Sequence, residues 1–351
     1  MDRILAIFPT ALKVEAVLSE QSAASCRLGH RVMTFPQLVD ALWAECADRR
    51  GLLSAVEQQV VLEEALAQSG HPVPPSPGLV AQLLGLTRQL KSTGAHPADL
   101  ASALAESGPE LSLLARVFTG YQQILERNNL ADSYDREAAV LASLHACEDR
   151  NHRPRLLDGV KKLLVAEIYD FNLLQFMILA ALIRIVGDAE LTIQARPHPV
   201  DELRFGELTW NRFVEEESIA DRVLPDFIER RQRPGRLGFV LEHLFAEQTP
   251  GTPAPGDDSL VIVEAADRYR EVAQAARIIR RALDGEDGPP LAAERIAVMA
   301  RELGPYADYL ETLFPRYGIP LRLFHERPLI ATAPARFVLS LFELAPEQYH
   351  I

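Results

Sequence analysis

The chain has 351 residues, 48% hydrophobic and 24% charged, which is enough apolar material for two or three compact units and excludes long-range disorder. Its formal net charge of −13 argues against a free-standing, sequence-independent DNA binder, because neutralising phosphates needs an excess of Lys and Arg. Its three cysteines, Cys26, Cys46 and Cys147, lie far apart, form no CxxC pair and leave one over in any disulfide scheme, so reduced, mostly buried thiols in a cytoplasmic protein are expected.

In chain order, Arg3–Phe8 (RILAIF) is an apolar run of strand length, too short for the core of a secretory leader, so none is expected. Pro9 and Thr10 follow, then a helical pattern through Leu18 that Thr10 could cap. Arg31–Phe35 (RVMTF) makes a second strand, and Pro36 opens a helix over Gln37–Ala47. This β-α-β-α order starts a parallel sheet. From Ser54 to Cys147 apolar residues recur at helical spacing, broken at 70–78, 94–97, 108–109 and 128–132, which predicts an all-helical insertion. Short loops are expected at Pro72–Pro77 and Thr249–Asp258.

Sheet sequence returns at Lys162–Glu167 (KLLVAE), followed by an apolar helix from Leu173 and a strand at Glu190–Ala195. The run Leu173–Val186 is too short for a membrane span and is interrupted by Gln175 and Arg184, so no membrane contact is expected. Helical, charge-rich sequence is expected through Leu203–Glu247. A second alternation follows: strands at Leu260–Glu264, Arg295–Ala300 and Leu321–Phe324, and helices at Tyr269–Leu283, Pro305–Phe314 and near Pro334–Leu344. It stops with that unit still growing, so a fragment of a longer gene product is expected. The expected division is a first sheet domain over 1–50 and 156–250, a helical insertion over 51–155, and a partial second domain over 258–351.

Several stretches carry a family resemblance. Leu164–Gln175 (LVAEIYDFNLLQ) resembles the acidic motif of superfamily 1 helicases, and Tyr169, Asp170, Phe171 and Gln175 match its degenerate version in AddB-type proteins. Thr34-Phe35 resembles the motif leading into a DNA-facing helix. Asp132 resembles the aspartate closing the insertion. Tyr269–Arg281, the RIAVMAR stretch, Tyr317–Pro320 and Pro328-Leu329 resemble the opening of a second RecA-like domain. The chain therefore resembles the amino-terminal helicase-like region of the AddB/RexB-type component of a helicase–nuclease, a UvrD/RecB-like family. The resemblance implies an α/β fold: a RecA-like (P-loop NTPase-like) parallel sheet domain with an all-helical insertion, followed by the start of a second RecA-like domain.

ATP hydrolysis needs GxxxxGK[ST] after the first strand, so that backbone N–H groups, a Lys and a Ser or Thr can hold phosphates and magnesium. The corresponding turn here contains Pro9, Thr10 and Lys13 but no glycine, and a solvated helix lysine is the plain reading of Lys13. By the resemblance, Ala166 stands where a magnesium-binding Asp is expected and Glu167 where the catalytic base stands. Glu167 and Asp170 could form an acid/base or metal pair. The structural alternative is that such carboxylates cap the next helix or pair with a cation, Asp170 capping the helix near Leu173. No catalytic residue, metal or cofactor is expected, and the scattered histidines His71, His96, His145, His152, His198 and His243 show no ligand spacing. Ser and Cys nucleophile motifs are absent.

Candidate DNA contacts are Thr34 and Phe35 together with Arg230, Arg231, Arg233 and Arg236, and Arg150–Arg155 is a second basic group. A solvated charged face is the alternative for both groups. The expected role is a non-catalytic module of a DNA double-strand-break-processing helicase–nuclease. By the resemblance, its partners are an A-type motor subunit and single-stranded or duplex-end DNA. The alternatives are a nucleotide-dependent DNA motor with an atypical phosphate loop, or a helical protein-interaction module with no DNA role.

Overall fold

The computed structural model describes residues 3–23, 30–46, 48–70, 75–103, 108–150, 152–168, 170–193, 204–227, 235–243, 256–286, 288–325 and 329–347. The chain divides into two compact units, residues 1–234 with 238–253, and residues 235–237 with 254–351.

The first unit opens β1 (Arg3–Phe8), α1 (Ala11–Ala23), β2 (Arg31–Thr34), α2 (Phe35–Trp43) and the two-residue strand β3 (Gly51–Leu52). Four helices follow: α3 (Ala55–Gln68), α4 (Pro77–Ser92), α5 (Pro97–Ala103) and α6 (Pro109–Arg127). Then come β4 (Leu130–Ala131), α7 (Ser133–Asp149), β5 (Val160–Ala166), α8 (Leu173–Val186), β6 (Ala189–Ile193), α9 (Arg204–Glu215) and β7 (Val223–Phe227), and the helix α10 (Gly235–His243) has its first three residues in the second unit and the rest in the first. The sheet runs β2-β1-β5-β6-β7, every neighbouring pair parallel. Parallel strands need crossovers, which put helices on both faces, and β1 accordingly reads as a nearly unbroken apolar run.

Side-chain alternation along β1 divides the core in two. Leu5 and Ile7 join Leu163 and Val165 of β5 and Leu191 of β6 on the face covered by α2, α7 and α8. Ala6, Phe8 and Ala166 face the other way, against Val14 of α1. The helix α8 is buried almost all round, including Ile178, Leu179, Leu182 and Ile183 at 0% exposure. Each such side chain contributes about 1.5–3 kcal/mol by leaving water. Arg184, the charge within that apolar stretch, pairs with Glu148 of α7 at 2.7 Å, and Gly187 ends the helix with φ of 91°.

The helices α3, α4 and α6 bury Leu62, Leu66, Val80, Leu83, Val117, Tyr121 and Leu125 in a core of their own. The parallel pair β3–β4, Gly51 opposite Leu130 and Leu52 opposite Ala131, joins the two ends of this segment. The helix α7, which falls within the stretch expected as insertion, buries Val140, Leu141 and Leu144 in the sheet core instead.

In the second unit, α11 (Arg268–Asp284) and α12 (Gly304–Arg316) pack through Val272, Ala276, Ile279, Leu310, Leu313 and Phe314, and α13 (Ala333–Glu347) follows. The strands expected at Leu260–Glu264, Arg295–Ala300 and Leu321–Phe324 are not formed: no ladder joins those segments among the described residues, and Arg295 ends a short 3-10 turn. Their inward side chains Ile296, Leu321 and Leu323 pack on the two helices, whereas Ile262 and Met299 are each 89% exposed. Apolar alternation thus survives on one side without the neighbouring backbone that a strand needs for its hydrogen bonds.

One strand was unexpected. β7 lies in the stretch read as helical, and Pro225 within it argues against a strand by removing a donor. Its place at the sheet edge resolves this, since only one side must be hydrogen-bonded. The end of the expected strand Glu190–Ala195 lies partly outside the described residues.

Candidate functional site

In an open parallel sheet, ligands bind beyond the carboxyl ends of the strands. Here β1 and β5 are neighbours, Ile7 opposite Val165, so the turn after β1 and the turn after β5 meet at one edge. Pro9 and Thr10 are exposed there, and the Thr10 hydroxyl accepts from the Lys13 amide at 3.3 Å at the start of α1. Ala166 is 5% exposed and packs with Phe8, Val14 and Ala6. Glu167 follows with φ of 59°, a left-handed backbone that costs a residue with a Cβ on the order of 1–3 kcal/mol. That turn presents its carboxylate to Lys13, with Nζ 2.8 Å from Oε1.

The consequence for nucleotide chemistry is direct. By the resemblance, the apolar methyl of Ala166 stands where magnesium would lean on a carboxylate, and Lys13 is paired with Glu167. Backbone approach to phosphates is limited too, since the turn lacks glycine. The ion pair is 41% and 34% exposed at its two side chains, so it contributes at most about 1 kcal/mol.

The rest of the acidic stretch supports α8. The cap of that helix is Asn172, not Asp170: Asn172 Oδ1 accepts from the Gln175 amide at 2.8 Å, and Gln175 Oε1 accepts from the Asn172 amide at 3.3 Å. Gln175 is thereby held in a capping box, and Asp170 is exposed. Phe171 is buried edge-on against Phe213 with ring centres 6.2 Å apart, and Arg212 donates to its carbonyl at 2.9 Å. Tyr169 lies outside the described residues.

Thr34 and Phe35 are buried, at 7% exposure each. Thr34 caps α2, its hydroxyl accepting from the Gln37 amide at 3.3 Å, and Phe35 is in the sheet core. Side chains placed this way orient the start of α2. Arg230, Arg231 and Arg233 lie outside the described residues. The Arg236 amide donates to Asp257 at 2.9 Å, and its guanidinium reaches the Leu260 carbonyl at 3.4 Å. In the other basic group, Arg153 donates to the carbonyls of Val160 and Ile185, at 3.3 and 2.9 Å.

Asp132 is the centre of a buried polar network. Its Oδ1 accepts from the Tyr134 and Asp135 amides, both at 2.9 Å, capping α7. Its Oδ2 pairs with Lys91 at 2.7 Å and accepts from Tyr121 at 3.2 Å. Lys91 also pairs with Asp135 at 2.7 Å and donates to Gln122 at 3.0 Å. Burial and the Asp132 carboxylate raise the Tyr121 phenol, keeping it a neutral donor. Sequence reasoning missed Lys91, although its spacing pointed inward: Val80, Leu83, Leu84, Thr87 and Lys91 lie on one buried helix face.

Among the described residues no group of three or more His, Cys, Asp or Glu could hold a metal ion, and no helix is long and apolar enough to cross a membrane.

No protein-family model matches the chain. Over 327 residues it is 28% identical to the B-type subunit of the ATP-dependent helicase/deoxyribonuclease of Symbiobacterium thermophilum. The alignment covers 83% of this chain and 26% of that protein, so the chain spans about a quarter of its relative's length. The likeness to AddB-type proteins read from ordered motifs thus extends to similarity over most of the chain.

Proposed function

We propose that this chain is a nucleotide-independent, helicase-like module of a DNA-break-processing helicase–nuclease, serving as scaffold for an A-type motor subunit and contacting single-stranded or duplex-end DNA. Similarity to the B-type component of a helicase/deoxyribonuclease supports the complex, and the parallel sheet with its helical insertion supports the RecA-like reading. Within that reading, residues 1–50 and 156–250 form the first RecA-like domain, 51–155 the insertion, and 258–351 part of a second.

The observation that carries the non-catalytic assignment is the edge of β1 and β5. Ala166 is packed among apolar groups, and Lys13 is paired with Glu167 at 2.8 Å. A motor needs those positions for magnesium and phosphate, and binding there would have to break the pair without a carboxylate to hold the metal.

Isothermal calorimetry with a non-hydrolysable ATP analogue and magnesium tests this. The expected outcome is no saturable heat at millimolar analogue and no magnesium-dependent hydrolysis by the purified chain. Stoichiometric binding lost in Lys13→Ala, or hydrolysis lost in Glu167→Gln, would establish the motor reading instead.

A further inference from the structure

Two thiols face one small cavity in the first unit. Cys46 lies in the turn after α2 and Cys147 near the end of α7, and both line a space of about 120 Å3. Leu42, Val140 and Leu144 form its apolar wall, and Ser143 and His152 its polar one. Both cysteines are half-buried. The Cys46 thiol donates to the Leu42 carbonyl at 3.3 Å and also hydrogen-bonds Ser143, one helical turn before Cys147. The two sulfurs are close enough that charge on Cys147 opposes ionisation of Cys46.

We propose that Cys46 and Cys147 are an oxidisable pair, converted by a low-molecular-weight disulfide into an intrachain disulfide that ties the end of α2 to α7. The inference is independent of any DNA role. In the first step a thiolate attacks one sulfur of RS–SR, forming a mixed disulfide and releasing RS⁻. The second cysteine then attacks the protein sulfur of that mixed disulfide and releases the second RS⁻. Two cysteine thiols lose two electrons and two protons, and one disulfide becomes two RSH.

Burial raises both thiols; the Ser143 hydrogen bond opposes the rise at Cys46 and Arg150 opposes it at Cys147, while Glu45 adds to it at both and Asp48 adds to it at Cys46. Because both are protonated at neutral pH, exchange is slow there and speeds up as pH rises.

The test uses the full chain carrying Cys26→Ser, so that two thiols remain. It is equilibrated with oxidised glutathione at pH 8, quenched in acid, alkylated under denaturing conditions and weighed intact. The expected product is a monomer with no alkyl group and no glutathione, reversed by dithiothreitol and melting several degrees above the reduced form. Adding Cys46→Ser should trap one glutathione on Cys147. Mapping of the linked Cys46–Cys147 peptide in the unsubstituted chain gives the same reading without any substitution. Two alkylatable thiols at equilibrium, two glutathiones on one chain, or a disulfide between chains would each overturn the proposal.

Discussion

Glu137 lies on the buried face of α7, in line with Val140, Leu141 and Leu144, and is 9% exposed. Its Oε2 is buried and has no hydrogen-bond partner among the described residues. Burial is the main cause that pushes its carboxyl up to about 7; Arg136 opposes the rise and Asp132 adds to it. The raised value means that the folded chain holds a proton the unfolded chain has already released between pH 4.5 and about 7. Stability therefore falls as pH rises through that window and is fully present only below it. A shift of this size corresponds to roughly 3 kcal/mol. Glu137→Gln, which mimics the protonated form, should be more stable than the parent at pH 8 and about equal at pH 4.5. Urea titrations across that range check this, and a parent curve parallel to that of Glu137→Gln would sink the assignment.

At the level of elements, local chemistry decides where helices begin. Thr34 with Gln37, Ser54 with Glu57, Asp132 with Asp135, and Asn172 with Gln175 each form a reciprocal capping box. The α8 box gives a discriminating prediction. Asn172→Ala should cost about 1 kcal/mol, within the range for losing a side-chain cap, whereas Asp170→Ala should cost nearly nothing. Equal losses in denaturant midpoint for the two variants would mean that Asp170 supports the helix after all. Strands β1, β2, β5 and β6 could be read from the sequence because a buried parallel strand needs an apolar run. β7 could not, because Pro225 breaks that signal and only the sheet edge makes it tolerable. The candidate site was readable as composition: missing glycines and Ala166 are visible in the letters. Its geometry was not, because the Lys13–Glu167 pair joins residues brought together only by the β1–β5 register, and Glu167 reaches Lys13 through a positive φ that no pattern announces.

For the whole molecule, a net charge of −13 sets the terms of any encounter with nucleic acid. A uniformly acidic surface repels phosphate, so DNA contact requires cations gathered in one place. The segment Arg230–Arg236 gathers four arginines within seven residues. Arg236 is partly engaged, its guanidinium reaching the Leu260 carbonyl, which leaves Arg230, Arg231 and Arg233 as the proposed phosphate contacts. Three contacts to single-stranded DNA, at about −0.7 each, give a slope near −2 for log affinity against log salt concentration. The triple variant Arg230→Gln, Arg231→Gln, Arg233→Gln should bring that slope close to zero and weaken binding about equally for all sequences, since phosphate contacts carry no sequence information. Fluorescence anisotropy with labelled oligonucleotides between about 50 and 200 mM salt reads both quantities. A slope unchanged in the triple variant would place the phosphate contacts elsewhere. No binding by the parent even at the lowest salt would mean that this chain's share of the complex is protein scaffolding, with the cations for DNA supplied by other parts of the assembly.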